Sequence, residues 1–357
     1  MTDAFRQKWA VLFGATQYKN VERLNYCTRD IVEFGKTLLE DFEFEKDHVL
    51  AFGDFEGHET AFQPELAHEP KLTIFWEKLA VALKGGRIAE DDLLLFYFSG
   101  HGVRDPKDYL LPVDSTLNDL KHTAIEVEEL VDQLTSTGCK NIVVFLDACR
   151  EIVRGEKGAL KGARALGGDE SRELMQRKGV ISFFSCDPED CSYEIDELKH
   201  SSFTYCLLNA LRSGDYRTVG EVYDYLLTEV PRINEVYKKR IQKPYAVIQP
   251  AEKRDLAIFA SALKRSKSAE QGDDLIEPLS ALVETNELDE AHYCAAVELI
   301  MLSKVKFLSV DEGIRLEWVK RLASHKVNAR VFVATWDSKE RRRPSAPITR
   351  KDLGKIR

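Results

Sequence analysis

The first two-thirds of the chain alternates short apolar runs with longer segments of helical periodicity. This alternation is typical of a mainly parallel sheet covered by helices, because a helix returns the chain between parallel strands. Several runs, such as Leu93–Phe98, are apolar at every position, as expected for strands buried on both faces. The predicted strands are Lys8–Gly14, His48–Phe52, Asp92–Ser99, Asn141–Asp147, Val180–Ser185 and a sixth within Tyr245–Ala260.

Segments with apolar residues at helical spacing separate these strands. They are Asp30–Leu39, Leu72–Leu83, Glu126–Thr135, Ser202–Leu211 and Val219–Val230. Two connections are longer than is usual inside a compact domain, the acidic Gly53–Lys71 and the basic, glycine-containing Arg150–Lys178. In sheets of this kind functional groups lie just beyond the carboxyl ends of the strands, so we expect the chemistry there.

The composition, 44% hydrophobic and 31% charged, is that of a soluble globular protein, and no apolar run approaches the roughly 20 residues of a membrane helix. The first residues lack the apolar stretch of a signal peptide, so we expect a cytoplasmic protein without a membrane partner. The seven scattered cysteines are expected to be thiols. A net charge of −9 argues against nucleic acid as a partner, although the last twenty residues hold eight Lys or Arg against two Asp or Glu.

The chain is predicted to consist of one large α/β domain and a smaller extension. Residues 1–263 hold the predicted sheet and include the basic loop 150–178, which we expect to be flexible. The polar run 264–274 is the predicted linker. Residues 275–337 are predicted to form a mostly helical region without an assigned role, followed by a basic, disordered tail at 338–357.

A histidine and a cysteine terminate two strongly apolar strands, in Ser99-Gly100-His101-Gly102 and in Asp147-Ala148-Cys149-Arg150. If the strands are parallel neighbours, both residues lie on one rim of the sheet. A nearby imidazole accepts the proton of a thiol and turns it into a nucleophile. The backbone N–H groups of Gly102 and Cys149 are candidates for binding an oxyanion. The alternative is a packed thiol beside a histidine that caps a turn.

The chain resembles the caspase-like cysteine peptidases, and in particular the metacaspases and their bacterial relatives. In this pattern the histidine precedes the cysteine by about 50 residues. The further motifs are Leu24–Asp30 before the first helix, Asp108–Asp114 after the histidine, and Phe184–Pro188, Ser192–Glu194 and Phe203–Tyr205 after the fifth strand.

The resemblance covers roughly residues 5 to 260 and implies a three-layer α/β/α sandwich of the caspase–haemoglobinase type around a mainly parallel six-stranded sheet, here with a C-terminal, mostly helical extension. It implies a cysteine endopeptidase acting on protein substrates. Cys149 attacks the peptide carbonyl and His101 transfers the proton to the leaving amine. The family works largely with this dyad, so no third orienting residue is assigned.

In metacaspases three groups bind a basic substrate side chain. Their counterparts here are Asp30, Ser99 and Asp147. Two carboxylates in one pocket attract a guanidinium or ammonium group and repel an acidic one, so we expect cleavage after Arg or Lys. Helix stabilisation by Asp30 and a strand-end hydrogen bond of Asp147 are the alternatives. A further family aspartate matches the position of a proline here, which leaves as candidate cleft residues Asp187, Glu189 and Asp190.

Control of the activity is expected in loop 150–178, which in caspase relatives connects the two halves of the catalytic unit. Its candidate processing sites are Arg154, Lys157, Lys161 and Arg164. We expect a regulated proteolytic switch, as in bacterial defence or programmed cell death, activated by a partner, a ligand or loop processing. The C-terminal region is a candidate contact for an activating sensor or partner protease. A solvated loop with incidental charge is the alternative.

No cofactor motif accompanies the cysteine, so we expect neither a cofactor nor a bound metal. Calcium, which several metacaspases need, is the alternative, although no EF-hand pattern is present. Its candidate ligands are Asp105, Asp108 and Asp114, or the acidic loop Asp54–Glu69. Two other functions remain open, a non-catalytic caspase-like scaffold and a different thiol enzyme. The presence of both His101 and Cys149 disfavours the scaffold.

Overall fold

The computed structural model of the chain describes residues 5–149, 166–187 and 191–259, with Cys149 described through its backbone. All of them belong to the first of two units into which the chain divides, Met1–Ser261. The predicted linker, the C-terminal helical region and the basic tail lie outside the described residues, as does most of the basic loop. No described helix is both long and apolar enough to cross a membrane.

The strands are, in chain order, β1 (Lys8–Gly14), β2 (Val49–Gly53), β3 (Ala67–His68), β4 (Leu93–Arg104), β5 (Asp108–Leu110), β6 (Ile125–Glu126), β7 (Asn141–Cys149), β8 (Ile181–Phe184), β9 (Glu194–Ile195), β10 (His200–Ser201) and β11 (Tyr245–Val247). The helices are α1 (Cys27–Asp41), α2 (Leu72–Leu83), α3 (Leu120–Thr123), α4 (Val127–Thr135), α5 (Asp169–Lys178), α6 (Ser202–Ser213) and α7 (Val219–Val236).

The main sheet runs in the order β11-β8-β7-β4-β1-β2-β3. Its pairs are parallel except for β11, which pairs antiparallel with β8. The end of β4 pairs antiparallel with β5, which pairs with β6. All six predicted strands are present, but the described sheet has nine. The three that the sequence missed, β3, β5 and β6, have two or three residues each, too few to show a period.

Apolar side chains pack on both faces of the sheet, because successive residues of a strand point to opposite sides. On one face, Phe96 and Phe98 of β4 pack with side chains of α2, α4 and α5. On the other, Leu95 and Tyr97 pack with α1, α6 and α7. Helices therefore cover both faces, which confirms the predicted three-layer α/β/α sandwich.

One helix, α5, lies in the predicted flexible loop, so the prediction is wrong for residues 169–178. The helix has few apolar residues, and this hid its period from the sequence. Asp169 and Glu170 stand in its first turn and Arg177 and Lys178 in its last, a charge order that favours the helix dipole. It ends at Gly179, whose φ of 67° is the left-handed conformation that terminates many helices.

Candidate active site

The parallel register of β4 and β7 places His101 opposite Cys149 and Ser99 opposite Asp147. This pairing brings the two candidate catalytic residues to one rim, at the last paired position of the two strands, as the sequence predicts. Strand β4 itself continues past His101 to Arg104, where it pairs with β5. Both strands are buried along nearly their whole length, so the register is fixed by packing on both faces. The catalytic roles of His101 and Cys149 stay predictions from this placement.

Three groups hold the fully buried His101. Its backbone N–H donates to the Tyr18 hydroxyl at 2.8 Å, and that hydroxyl donates to the carbonyl of Leu111 at 3.0 Å. The two rings lie against each other with centroids 4.6 Å apart. On the imidazole, Nε2 lies 2.8 Å from the carbonyl oxygen of Glu22. The ring is therefore fixed in both position and rotation.

The contact with Glu22 also assigns the imidazole proton. A carbonyl oxygen only accepts hydrogen bonds, so Nε2 carries the hydrogen and donates it. In the neutral ring Nδ1 is then the nitrogen that accepts a proton. The sequence assigned no third group to the dyad, and the structure adds this carbonyl. A backbone oxygen has no residue-type signature, so no motif reveals it.

Gly102, a predicted oxyanion residue, stands where a side chain does not fit. A Cβ at this position would lie 2.7 Å from Leu166 and 2.8 Å from the Cβ of Ala148. A residue with a Cβ would therefore move the backbone next to His101. Glycine keeps the strand in place there, and its role in binding an oxyanion stays a prediction.

Beside the dyad lies a small cavity that we call the acidic pocket. Its walls are formed by Leu24, Cys27, Asp30, Ser99, Gly100, Asp147, Ser192, Tyr193, Glu194 and Ser201. The lining includes all three residues predicted to bind the substrate side chain, two of which are acidic. It also includes a third acidic residue, Glu194. The cavity measures about 10 Å³, room for about one water molecule. In this conformation the pocket is closed.

The two predicted carboxylates have different partners. Asp30 accepts from the Ser99 hydroxyl at 3.0 Å, and its other oxygen lies 2.7 Å from Nδ1 of His200. Asp147 accepts only from hydroxyl groups among its side-chain partners. These are Ser192 at 2.8 Å, Thr204 at 2.7 Å and Ser201. Both carboxylates are thus oriented inside the protein, without contact with solvent.

The carboxylate of Glu194 fixes the turn that precedes α1. It accepts from the backbone N–H of Asn25 at 2.9 Å and from that of Tyr26 at 2.8 Å. The same turn carries the Glu22 carbonyl that holds His101. The sequence placed Glu194 in a family motif without giving it a role, because its partners lie nearly 170 residues earlier in the chain.

Burial and mutual repulsion shape the electrostatics of the pocket. Burial, together with the nearby charge of Asp147, raises the pKa of Asp30 well above its ordinary value. Burial likewise raises the pKa of Asp147, of Glu194 and of the Cys27 thiol. Burial lowers the pKa of His200 to about 4, so its contact with Asp30 is a hydrogen bond from a neutral ring near pH 7. Among the described residues that line the pocket there is no Lys, Arg or His, and crowded carboxylates in such surroundings favour the entry of a cation.

The other candidate site residues are placed as follows. Asp187 lies 3.5 Å from the Arg172 guanidinium and does not line the acidic pocket. The other candidate cleft and processing residues lie outside the described residues, namely Glu189, Asp190, Arg154, Lys157, Lys161 and Arg164.

Two of the candidate calcium ligands bind backbone amides instead. Asp108 accepts from Gly167 and Gly168 at 3.0 and 2.9 Å, and Asp114 from Leu72 at 3.2 Å. Within the described ranges, the grouping with metal-ligand spacing lies elsewhere, in the turn before β2. It consists of Glu45, Asp47 and His48.

The parallel strands β4 and β7 pair a histidine with a cysteine in a sheet covered by helices on both faces, an arrangement expected of a cysteine peptidase of the α/β class. A family model described as the caspase domain matches residues 7–253, and the chain belongs to this family of cysteine peptidases.

Two individual proteins are similar to the chain. Metacaspase-9 of Arabidopsis thaliana is 25% identical over 139 residues, a match that covers 36% of this chain and 39% of that protein. The chain thus spans about two fifths of the length of this relative. The crystal structure of caspase-1 from Spodoptera frugiperda aligns with a TM-score of 0.43 and 14% identity, covering 69% of this chain and 88% of that one.

Proposed function

We propose that the protein is a cysteine endopeptidase that cleaves protein substrates after Arg or Lys. The observation that carries this proposal is the acidic pocket, in which Asp30, Asp147 and Glu194 lie directly beside the paired ends of β4 and β7. A bound guanidinium or ammonium group would relieve the repulsion among these buried carboxylates. An acidic side chain would add to it, which excludes cleavage after Asp.

In the proposed reaction, Nδ1 of His101 takes the proton of the Cys149 thiol. The thiolate attacks the carbonyl carbon of the peptide, and the N–H groups of Gly102 and Cys149 bind the resulting oxyanion. His101 then protonates the leaving amine, and the C–N bond breaks to give a thioester. Water, deprotonated by His101, hydrolyses the thioester and restores the thiol. The Glu22 carbonyl keeps the ring oriented through both proton transfers.

The closed pocket supports the further proposal that the activity is switched. A cavity of about 10 Å³ does not hold an arginine side chain. Strands β9 and β10 pair antiparallel as a hairpin, and this hairpin must separate from the turn before α1 before substrate binds. Processing of loop 150–178, or a cytoplasmic partner protease or sensor that contacts the C-terminal region, would supply this step in defence or programmed cell death. The competing function is a scaffold that never opens.

Fluorogenic peptides ending in Arg, Lys, Asp or citrulline test the proposed activity, with and without calcium. We expect turnover after Arg and Lys, and its loss in Cys149→Ala. The matched control is Cys139→Ala, which removes a buried thiol near the opposite end of β7 and keeps the activity. Cleavage after Asp, or turnover that survives Cys149→Ala, would contradict the proposal. Inactivity of the wild type under every condition would favour the scaffold.

Intact-mass analysis of the purified chain tests the switch separately. We expect the active wild type to be cut after Arg154, Lys157, Lys161 or Arg164, whereas Cys149→Ala stays whole. An intact loop in a fully active enzyme would rule out self-processing.

A further inference from the structure

His200 stands behind the acidic pocket and the proposed reaction does not use it. It lies in β10, is 7% exposed and does not line the cavity. Its Nδ1 is 2.7 Å from Oδ1 of Asp30, the pocket residue in the first turn of α1. The side chain therefore touches a residue that would contact substrate, without reaching the substrate itself.

The contact restricts the orientation of the Asp30 carboxylate. Oδ2 accepts from the hydroxyl of Ser99 on β4, and Oδ1 contacts Nδ1 of His200 on β10. With one oxygen held on each side, rotation of the carboxylate would break a buried hydrogen bond. Asp147 is held by three hydroxyl groups, whose hydrogens turn freely to follow the carboxylate. The imidazole offers one fixed direction instead.

The charge of the donor matters as much as its direction. The charged neighbours of His200 besides Asp30 are Arg29 and Glu33 on α1 and Arg212 on α6. Burial and the two arginines disfavour a further positive charge, and the ring is neutral near pH 7. A neutral donor orients Asp30 without supplying a positive charge, so the counter-charge of the carboxylate is left to a cationic ligand. A lysine or arginine at this position would form an internal ion pair and compete with the substrate.

We propose that His200 is a positioning residue that holds Asp30 for a cationic substrate side chain and so determines affinity for Arg and Lys. The inference rests on the proposed function, because it assigns Asp30 to substrate binding. His200 transfers no proton and touches no reacting atom. Its loss therefore weakens binding of cationic substrates and leaves bond cleavage unchanged.

The test compares His200→Ala and His200→Asn with the wild type on peptides ending in Arg or in citrulline, its neutral isostere. We expect His200→Ala to raise KM for the Arg peptide about tenfold or more, as for loss of a hydrogen bond to a charged group. Its kcat and its KM for citrulline stay unchanged. In His200→Asn the amide N–H replaces Nδ1–H and restores KM to within about threefold.

A matched control is His122→Ala. Nδ1 of His122 lies at the same distance, 2.7 Å, from Asp119, but that pair is exposed and outside the pocket. We expect the kcat and KM values of this variant to equal those of the wild type. A fall in kcat in His200→Ala, an equal rise of both KM values, or failure of the Asn variant to rescue KM would overturn the inference.

Calorimetry with agmatine, a small guanidinium compound, separates this inference from the proposed function. We expect binding to the full chain that is about tenfold weaker or more in His200→Ala, whether or not peptides are cleaved. Because the pocket is closed in this conformation, the titration uses the chain before and after cleavage within loop 150–178. Binding of agmatine without peptide turnover in either state would refute the endopeptidase and support the role of His200. No binding to the wild type in either state, or equal binding to both proteins, would overturn the role of His200.

Discussion

The dyad rim and the acidic pocket lie side by side on β4 and β7, but different forces hold them. On the rim, strand register sets His101 opposite Cys149, and backbone groups of Glu22 and Leu111 complete the arrangement. The pocket is held together by hydrogen bonds between side chains, and partners such as Asp30 and His200 lie 170 residues apart in the sequence. The rim therefore depends on the sheet, whereas the pocket depends on the hairpin β9–β10.

This difference indicates which part of the site regulation can act on. Moving a central strand would disrupt the core on both faces, which costs far more than one or two hydrogen bonds. Moving the hairpin breaks a few polar contacts with Asp30, Asp147 and the turn before α1. We therefore expect changes in the pocket to alter substrate binding and changes at the rim to alter the chemical step.

The largest effect is expected at the rim. Replacement of His101 by alanine removes the base and should lower kcat by about a thousandfold. KM and agmatine binding should change little, because the pocket keeps all its hydrogen bonds. Steady-state kinetics on the Arg peptide and calorimetry provide these values. A fall of less than tenfold in kcat would mean that another group takes the proton.

The next largest effect is expected in the pocket. Asp147→Asn keeps the size of the side chain and removes its charge, so kcat/KM for the Arg peptide should fall roughly a hundredfold. The citrulline peptide should be affected far less. The ratio of the two kcat/KM values measures the effect. If kcat/KM falls equally for both peptides, Asp147 supports the structure of the pocket and does not select the charge of the substrate side chain.

A smaller effect is expected from Tyr18, which belongs to the rim. In Tyr18→Phe the N–H of His101 and the carbonyl of Leu111 lose the hydroxyl between them. Unfolding in denaturant should show a loss of about 1–3 kcal/mol, because two buried polar groups lose their partner. We expect kcat to fall about tenfold with KM unchanged. An unchanged unfolding free energy would show that neither group depends on Tyr18.

The smallest effect is a dependence of binding on pH. Because burial raises the pKa of Asp30, Asp147 and Glu194, these carboxylates take up protons at higher pH than ordinary ones. As pH falls below neutral, the pocket loses negative charge while Arg stays charged. KM for the Arg peptide should rise by a few-fold, and that for citrulline should stay flat. Equal rises for both peptides would place the titration outside the pocket.

Much of the fold was predictable because long, uninterrupted apolar runs leave few alternatives. All six predicted strands and five predicted helices are present. The structure also brings Asp30, Ser99 and Asp147 around one cavity, as expected. The missed elements are the short strands, the four-residue helix α3, and α5. Helix α5 has few apolar residues, and what favours it is the order of its end charges and the glycine that follows it.

The site residues that the sequence did not reveal were missed for a different reason. Tyr18 acts through a hydroxyl that joins β4 to Leu111, the residue after β5, and Glu22 acts through its backbone carbonyl. Glu194 and His200 act on a turn and a helix at the far end of the sequence. None of these roles follows from residue type or local spacing, because each depends on which distant segment lies next to it.

Apolar periodicity and strand length are local properties of the chain, so the buried parallel strands, with His101 and Cys149 near their carboxyl ends, could be predicted from the sequence. Packing of distant segments sets which nitrogen of His101 accepts a proton, gathers three carboxylates in the pocket, and places His200 against one of them. The physical reason is that hydrogen-bond direction and burial, which set these properties, arise only when segments far apart in sequence pack together.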